Sequence, residues 1–213
     1  MVQISGEIAM EQRKFRILLL TLIGIIYGAI MLFVVSPESY EKLVDFYFLG
    51  NRVFSKKEER DFDKRIIKQN IELYQTYYFN KDYPNIFLLG FSEVIDDGKW
   101  TYGNLAKISF TLPKISFPIL LDFKLAAYIN QHNPVINVEP TINGKRYNTW
   151  IFENGKNSKR RLLLISPENI GNNGKVMISF NIDGMKSPHE LGYGNNINKL
   201  GLFIEEMSIR PKH

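Results

Sequence analysis

The sequence predicts a mainly β protein with three parts: a single N-terminal transmembrane helix, a short helical stalk and a C-terminal, jelly-roll-like β-sandwich. Three observations carry this prediction. No charged residue occurs between Ile17 and Pro37, helical periodicity follows, and beyond Pro84 short alternating runs are bounded by turn residues. We therefore expect a cytoplasmic N-terminus at 1–14, a transmembrane helix at 15–35, a stalk at 36–83 and a periplasmic β-sandwich at 84–213.

The first predicted element, from Phe15 to Val35, is long enough to cross a membrane. A helix rises 1.5 Å per residue, so about 20 apolar residues cross the roughly 30 Å hydrocarbon core. Arg13, Lys14 and Arg16 precede this run and no basic residue directly follows it, which places the N-terminus in the cytoplasm. A cleaved signal peptide is the alternative, but the run is longer than a signal-peptide core and lacks an Ala-x-Ala-like site.

Gly24 and Gly28 form a Gly-x-x-x-Gly pair within this span. Small residues at this spacing let a second transmembrane helix approach closely, which predicts helix packing with a partner or with another copy of the chain. Tyr27 also needs a hydrogen-bond partner near the middle of the span. The alternative is that glycine is simply common in membrane helices.

Two helices are predicted to form the stalk. Apolar residues recur at helical spacing from Pro37 to Leu49. In the second helix Ser55 is an N-cap with Glu58 three residues later, and an apolar stripe continues to Tyr77. The dense charges opposite this stripe are of mixed sign, so we interpret them as a solvated helix face.

Eight strands are predicted beyond Pro84. Asn143-Gly144 between two of them predicts a two-residue hairpin, because a type I′ turn needs positive φ at both central positions. Their number and spacing favour a β-sandwich or jelly roll. The predicted strands are Ile86 to Leu89, Leu105 to Leu112, Ile119 to Ala127, Ile136 to Ile142, Arg146 to Phe152, Arg161 to Ile165, Val176 to Ile182 and Leu202 to Ile209.

Composition argues against several kinds of chemistry. The chain has no cysteine, so it has neither disulfides nor a thiol nucleophile, and its net charge of +5 is interspersed rather than gathered into a nucleic-acid site. His132, His189 and His213 lack metal-ligand spacing, so we expect no metal and no cofactor. No nucleophile elbow or phosphate loop occurs, so no catalytic residue is assigned.

Several sequence blocks follow one known order. This order resembles the β-sandwich domain of unknown function found at the extracytoplasmic end of bacterial membrane glycosyltransferases and related envelope-polysaccharide proteins. The resemblance runs from Phe87 to the C-terminus and implies a carbohydrate-binding-like fold associated with surface glycan assembly. The blocks that carry it are Gly90-Phe91-Ser92-Glu93, Gly98-Lys99-Trp100-Thr101-Tyr102-Gly103, Ala106 with Phe110 to Pro113, Ile142-Asn143-Gly144, Trp150, Ser187 to Gly192 and Leu200-Gly201-Leu202.

Two of these blocks supply the candidate site. Sugar C–H faces stack on aromatic rings and sugar hydroxyls need polar partners, so a binding site combines both kinds of side chain. The alternative is that Trp100 is a core residue and that Ser187-Pro188 and Gly192 only shape a turn. The candidate carbohydrate-binding residues are Glu93, Trp100, Tyr102, Glu190, Tyr193, Asn195 and Asn196.

The predicted function is that of a single-pass accessory protein in a bacterial inner membrane. Its periplasmic domain would hold surface glycan or dock on a membrane glycosyltransferase or polysaccharide polymerase, with no role for nucleic acid. One alternative is a pure protein–protein interaction subunit of a membrane complex. Another is a glycan hydrolase or transferase, which would need two carboxylates flanking a cleft.

Overall fold

The computed structural model describes residues 18–26, 54–67, 69–157, 160–171 and 173–212. Residues 18–26 form a helix with exposed side chains, inside an N-terminal unit (1–44) that is separate from the unit spanning 45–213. Within the described ranges no helix is both long and apolar enough to span a membrane. Most of the predicted span, with Gly28, and the first stalk helix lie outside the described residues, so both stay predictions.

The second unit contains two antiparallel sheets packed as a sandwich. Sheet I has the order β1-β11-β5-β9, with β3 also pairing with β11, and sheet II has the order β2-β4-β10-β6-β7, with β8 also pairing with β6. The described strands are β1 (Thr76–Tyr78), β2 (Phe87–Leu89), β3 (Lys99–Tyr102), β4 (Leu105–Thr111), β5 (Ile119–Ala127), β6 (Val135–Ile142), β7 (Lys145–Arg146), β8 (Trp150–Glu153), β9 (Arg160–Ile165), β10 (Lys175–Asp183) and β11 (Leu200–Pro211).

Alternation along the strands builds the core between the sheets. In β5 every second side chain, from Ile119 to Ala127, is buried, because successive side chains of a strand point to opposite faces. Phe123 of β5 meets Phe180 of β10 edge to face at 5.8 Å, and its ring lies 6.3 Å from the ring of Trp150 on β8. These aromatic contacts join sheet I to sheet II, which confirms the predicted mainly β, sandwich-like fold.

Each of the eight predicted runs contains strand. The run from Arg146 to Phe152 is divided into β7 and β8 by an intervening segment, 147–149, in which the Tyr147 hydroxyl donates a hydrogen bond to the Leu164 carbonyl at 2.8 Å. The predicted hairpin is confirmed: Asn143 (φ 48°) and Gly144 (φ 84°) both have positive φ between β6 and β7. The short strands β1 and β3 were not predicted.

One α-helix, α1 (Lys56–Asp63), precedes the strands in the described part of this unit. Its predicted capping box is confirmed, because the Ser55 hydroxyl accepts from the Glu58 N–H and the Glu58 carboxylate accepts from the Ser55 N–H at 2.8 Å. Two backbone donors at the helix start are thereby satisfied.

The prediction that this helix continues to Tyr77 is wrong beyond Asp63. Tyr77 lies in β1, which pairs with β11, and both Ile71 and Tyr77 are buried in the sandwich core. Tyr74 has a φ of 62°, in the left-handed region that a right-handed helix cannot contain. The residues of this apolar stripe are therefore buried as part of an extended chain. They do not form the amphipathic helix that their spacing suggests.

Helix α1 covers part of the outer face of sheet II. Phe62 is buried, and the ammonium group of Lys107 on β4 lies 3.1 Å from carboxylate oxygens of both Glu59 and Asp63. Lys175 of β10 donates to the main-chain carbonyl groups of Asp63, the last residue of α1, and of Arg65 just beyond it. Part of this face is thus closed off by the helix.

Candidate functional site

Strand β3 places Trp100 on the outer side of sheet I. Lys99 and Thr101 are buried, so the alternating pattern turns Trp100 and Tyr102 away from the core. Trp100 pairs with Phe203 of β11, and their ring centroids are 5.1 Å apart. Trp100 is half-buried in this position.

Trp100 belongs to a series of aromatic side chains. Its ring meets the ring of Tyr128 edge to face at 5.6 Å and 90°, and Tyr193 lies 6.2 Å from the ring of His132. Burial raises the pKa of Tyr128, and the charge of the nearby Tyr193 phenolate raises this pKa further. We call Phe203, Trp100, Tyr128, Tyr193 and His132 the aromatic row.

The loop after β5 is fixed by its own asparagines. The Asn130 side-chain oxygen accepts from the backbone N–H groups of His132 at 2.8 Å and Asn133 at 3.0 Å. The buried Asn133 amide donates to the Tyr128 carbonyl at 2.9 Å. This loop therefore presents Tyr128 and His132 in a preorganised arrangement, which lowers the entropy cost of binding a ligand.

The loop between β10 and β11 is also held by side chains within it. The Glu190 carboxylate accepts from the Ser187 N–H at 2.7 Å, the Ser187 hydroxyl accepts from the Glu190 N–H, and Lys199 lies 3.8 Å from Glu190. Asn196 accepts from the Asn198 N–H at 3.0 Å through its side-chain oxygen. Glu190 and Asn196 were predicted to contact sugar. In the structure their side-chain oxygens accept hydrogen bonds that hold the loop in shape.

Together with His132, Tyr193 is one of two exposed members of the aromatic row. Its backbone N–H donates to the Pro188 carbonyl at 2.8 Å, and its side chain is 53% exposed. Gly192 before it has a φ of 74°, which glycine adopts without strain. The side chain of Asn195, two residues later, is exposed as well.

The structure brings together only part of the predicted set. Trp100 and Tyr193, predicted from two separate sequence blocks, both face the loop after β5, Trp100 through Tyr128 and Tyr193 through His132. Glu93 instead lines a different cleft of about 460 Å³ together with Arg65 and Lys99, and Glu190 is not among the residues that line it. Tyr102 shares the outer side of β3 with Trp100. The two acids therefore do not flank this cleft as a catalytic pair would.

Three members of the aromatic row were missed from the sequence: Tyr128, His132 and Phe203. Tyr128 directly follows the alternating run of β5 and opens the polar segment that contains Asn130 and Asn133. An aromatic residue at the junction of a strand and an asparagine-rich loop is the signal that could have found it. Phe203 shows no such signal, because it alternates with core residues inside β11.

Comparisons with known proteins show remote structural likeness. No protein-family model and no curated protein matches the chain. Similar structures include the carbohydrate-binding module CBM36 in complex with calcium and xylotriose (13% identity, 63% of this chain, 98% of that chain, TM-score 0.37). CBM35 from Paenibacillus barcinonensis is 10% identical over 65% of this chain and 99% of that chain, with a TM-score of 0.36.

A family GH115 4-O-methyl-α-glucuronidase with specificity for decorated arabinogalactans is also similar, at 8% identity over 76% of this chain and 20% of that chain, with a TM-score of 0.40. At these identities and TM-scores the likenesses carry no inference about family or function. The relation to glycosyltransferase-associated domains stays a prediction.

Tyr128 gives a pH test of the aromatic row. Because burial disfavours its phenolate, Tyr128 contributes stability that is complete below the ordinary pKa of 10.0 and is lost as the pH rises through the raised pKa. The difference between ultraviolet titrations of the wild-type protein and of Tyr128→Phe should show a single phenol that ionises above pH 10.0. A midpoint at or below that value would contradict the buried position of Tyr128.

Proposed function

We propose that the protein is a membrane-anchored accessory protein of cell-envelope polysaccharide assembly, and that the aromatic row binds its glycan. The observation that carries this proposal is the contact of half-buried Trp100 with Tyr128, on the loop whose His132 ring lies 6.2 Å from the exposed ring of Tyr193. The resemblance of the sequence blocks to envelope-polysaccharide proteins supports the same ligand class.

The chemistry of the row suits a sugar. Aromatic faces receive the apolar C–H groups of a sugar ring, and neighbouring side chains must satisfy its hydroxyls. Exposed amides stand close in sequence to the row: Gln131 beside His132, and Asn195 beside the Tyr193 turn. Because the loops that carry these residues are fixed by internal hydrogen bonds, little ordering is needed when glycan binds.

We infer that the uncharged segment at 15–35 anchors this domain in a bacterial inner membrane, with the N-terminus in the cytoplasm and the sandwich in the periplasm. The proposed partner is a membrane glycosyltransferase or polysaccharide polymerase, contacted through the face that carries Gly24 and Gly28. The same face would serve a homo-oligomer. In either arrangement the sandwich would hold the nascent chain near the enzyme that extends it.

The binding surface is tested by removing the exposed ring of Tyr193. Tyr193→Ala should weaken glycan binding about tenfold, or ~1.4 kcal/mol, because a stacking surface is lost without disturbing the core. The measurement is the binding of the full-length chain in detergent to a printed array of bacterial surface polysaccharides, followed by titration of whichever polysaccharide binds.

Tyr78→Ala is the matched control for this experiment. Tyr78 is 48% exposed, close to the 53% of Tyr193, but it lies on β1 outside the aromatic row. The proposal requires that the control bind as the wild type does. Equal binding by all three proteins, or an equal loss in both variants, would show that glycan is held elsewhere.

The topology is tested by thiol labelling, since the chain has no cysteine of its own. A single cysteine at Lys114→Cys, an exposed position in the sandwich unit, should react with a membrane-impermeant maleimide added to intact bacterial cells. Ser5→Cys should react only after the cells are permeabilised. The reverse pattern would contradict the orientation, and release of the protein by alkaline carbonate would contradict the anchor.

A further inference from the structure

A second polar surface lies on sheet II, the sheet opposite to that of Trp100. It is a cavity of about 550 Å³ on the outer face, where the side chains that point away from the core are exposed or half-buried. We call this surface the polar groove. Its polar lining residues are Asn104, Asn137, Glu139, Thr149, Asn181 and Asp183.

Strand register orders the groove into pairs. Asn181 of β10 stands directly opposite Glu139 of β6, and Asp183 stands opposite Asn137. Side chains directly opposite on one face of a sheet have Cβ atoms about 4.5–5.5 Å apart. The second pair follows the first after two residues, or about 7 Å along the strands. Each pair joins one amide to one carboxylate.

The polar side chains of the groove are unengaged. In the described ranges none of the six makes a side-chain hydrogen bond or an ion pair. The outer face of sheet I differs, since Asp122 lies 3.0 Å from Arg160 and Glu205 lies 2.5 Å from Lys124. A neighbouring part of the face of sheet II is closed by α1 over Lys107. The groove is thus an uncovered concavity whose donors and acceptors are all available.

The mixture of groups defines the class of ligand. Carboxylates accept hydrogen bonds, while amides both donate and accept them, so an adjacent amide and carboxylate complement neighbouring hydroxyls that each donate and accept. Among the described residues no group of three or more histidine, aspartate or glutamate side chains could hold a metal ion. The two carboxylates make the groove unfavourable for an anionic ligand, while its three amides and the Thr149 hydroxyl match the hydroxyl groups of a neutral sugar.

We propose that the polar groove is a second glycan site, which binds a further segment of the same polysaccharide through hydrogen bonds. The ligand class rests on the proposed function, while the site itself shares no residue with the aromatic row. Two sites on one domain would hold a long chain more tightly than either alone, because the second contact forms at a high effective concentration.

The test uses five full-length proteins in detergent: the wild type, Tyr193→Ala, a groove variant, a control, and the groove variant combined with Tyr193→Ala. The groove variant is Glu139→Ala with Asn181→Ala, which removes one opposed pair. The control is Glu72→Ala with Gln75→Ala, which removes one exposed carboxylate and one exposed amide that do not line the groove. Each protein is titrated against the polysaccharide that binds the wild type on the array of bacterial surface polysaccharides.

The groove variant should bind about tenfold more weakly than the control, and combining it with Tyr193→Ala should lower the affinity further. Raising the salt concentration from about 0.15 M to about 1 M should leave the affinity of the wild type unchanged, because the ligand is neutral. The affinity of the groove variant should stay low at both salt concentrations. A steep fall of wild-type binding with salt would overturn the neutral-ligand class.

The outcomes separate the two proposals. Wild-type affinity in the groove variant, with loss in Tyr193→Ala, overturns the second site and leaves the aromatic row in place. Loss in the groove variant alone supports the groove and contradicts the aromatic row as the glycan surface. Absence of wild-type binding across the whole array contradicts both.

Discussion

The pairing of β11 is the constraint on which both the sandwich and the aromatic row depend. This strand of twelve residues pairs with β5 along one edge and with β1 and β3 along the other. Its register with β3 shifts between Leu200 and Phe203, where the Thr101 hydroxyl accepts from the Leu202 N–H at 2.8 Å. A Cβ at Gly201 would lie 2.6 Å from that hydroxyl oxygen, so glycine permits this contact. The shift leaves Leu202 in the core and Phe203 outside, against Trp100.

Local pattern predicted the long strands and missed the short ones. The limits of β5 follow from its alternation, since a two-sheet core buries every second residue. By contrast β3 has four residues and begins with Lys99, which is buried with its ammonium group 3.1 Å from Asp82. The alternation of buried and outward-facing residues in β3 is not recognisable from the sequence, because a lysine is buried there. The ion pair of this lysine is made with Asp82, which lies outside the strand. The end of α1 was missed for a related reason: Ile71 and Tyr77 fit a helical face equally well until the sandwich provides the core that buries them.

The candidate site was predictable by residue type rather than by arrangement. Aromatic residues in two blocks were expected to act together. Trp100 and Tyr193 do face one loop, but Tyr128 and His132 of that loop contact them from a third segment that sequence spacing cannot relate to the other two. For Glu190 the sequence held a usable signal: a serine three residues before a glutamate is a capping pattern, and the loop uses it that way. Strand register, which sequence does not give, is what pairs amides with carboxylates in the polar groove.

Glycan binding by the aromatic row can be followed through the two tryptophans of the chain. Trp100 lies in the row, while Trp150 is buried between the sheets beside Phe180 and serves as an internal control. The indole N–H resonances of a ¹⁵N-labelled protein would be followed during titration with an oligosaccharide from an array-positive polysaccharide. If the aromatic row binds glycan, the Trp100 resonance moves with saturation while the Trp150 resonance stays in place. Saturable binding that leaves Trp100 unmoved would contradict binding by the row.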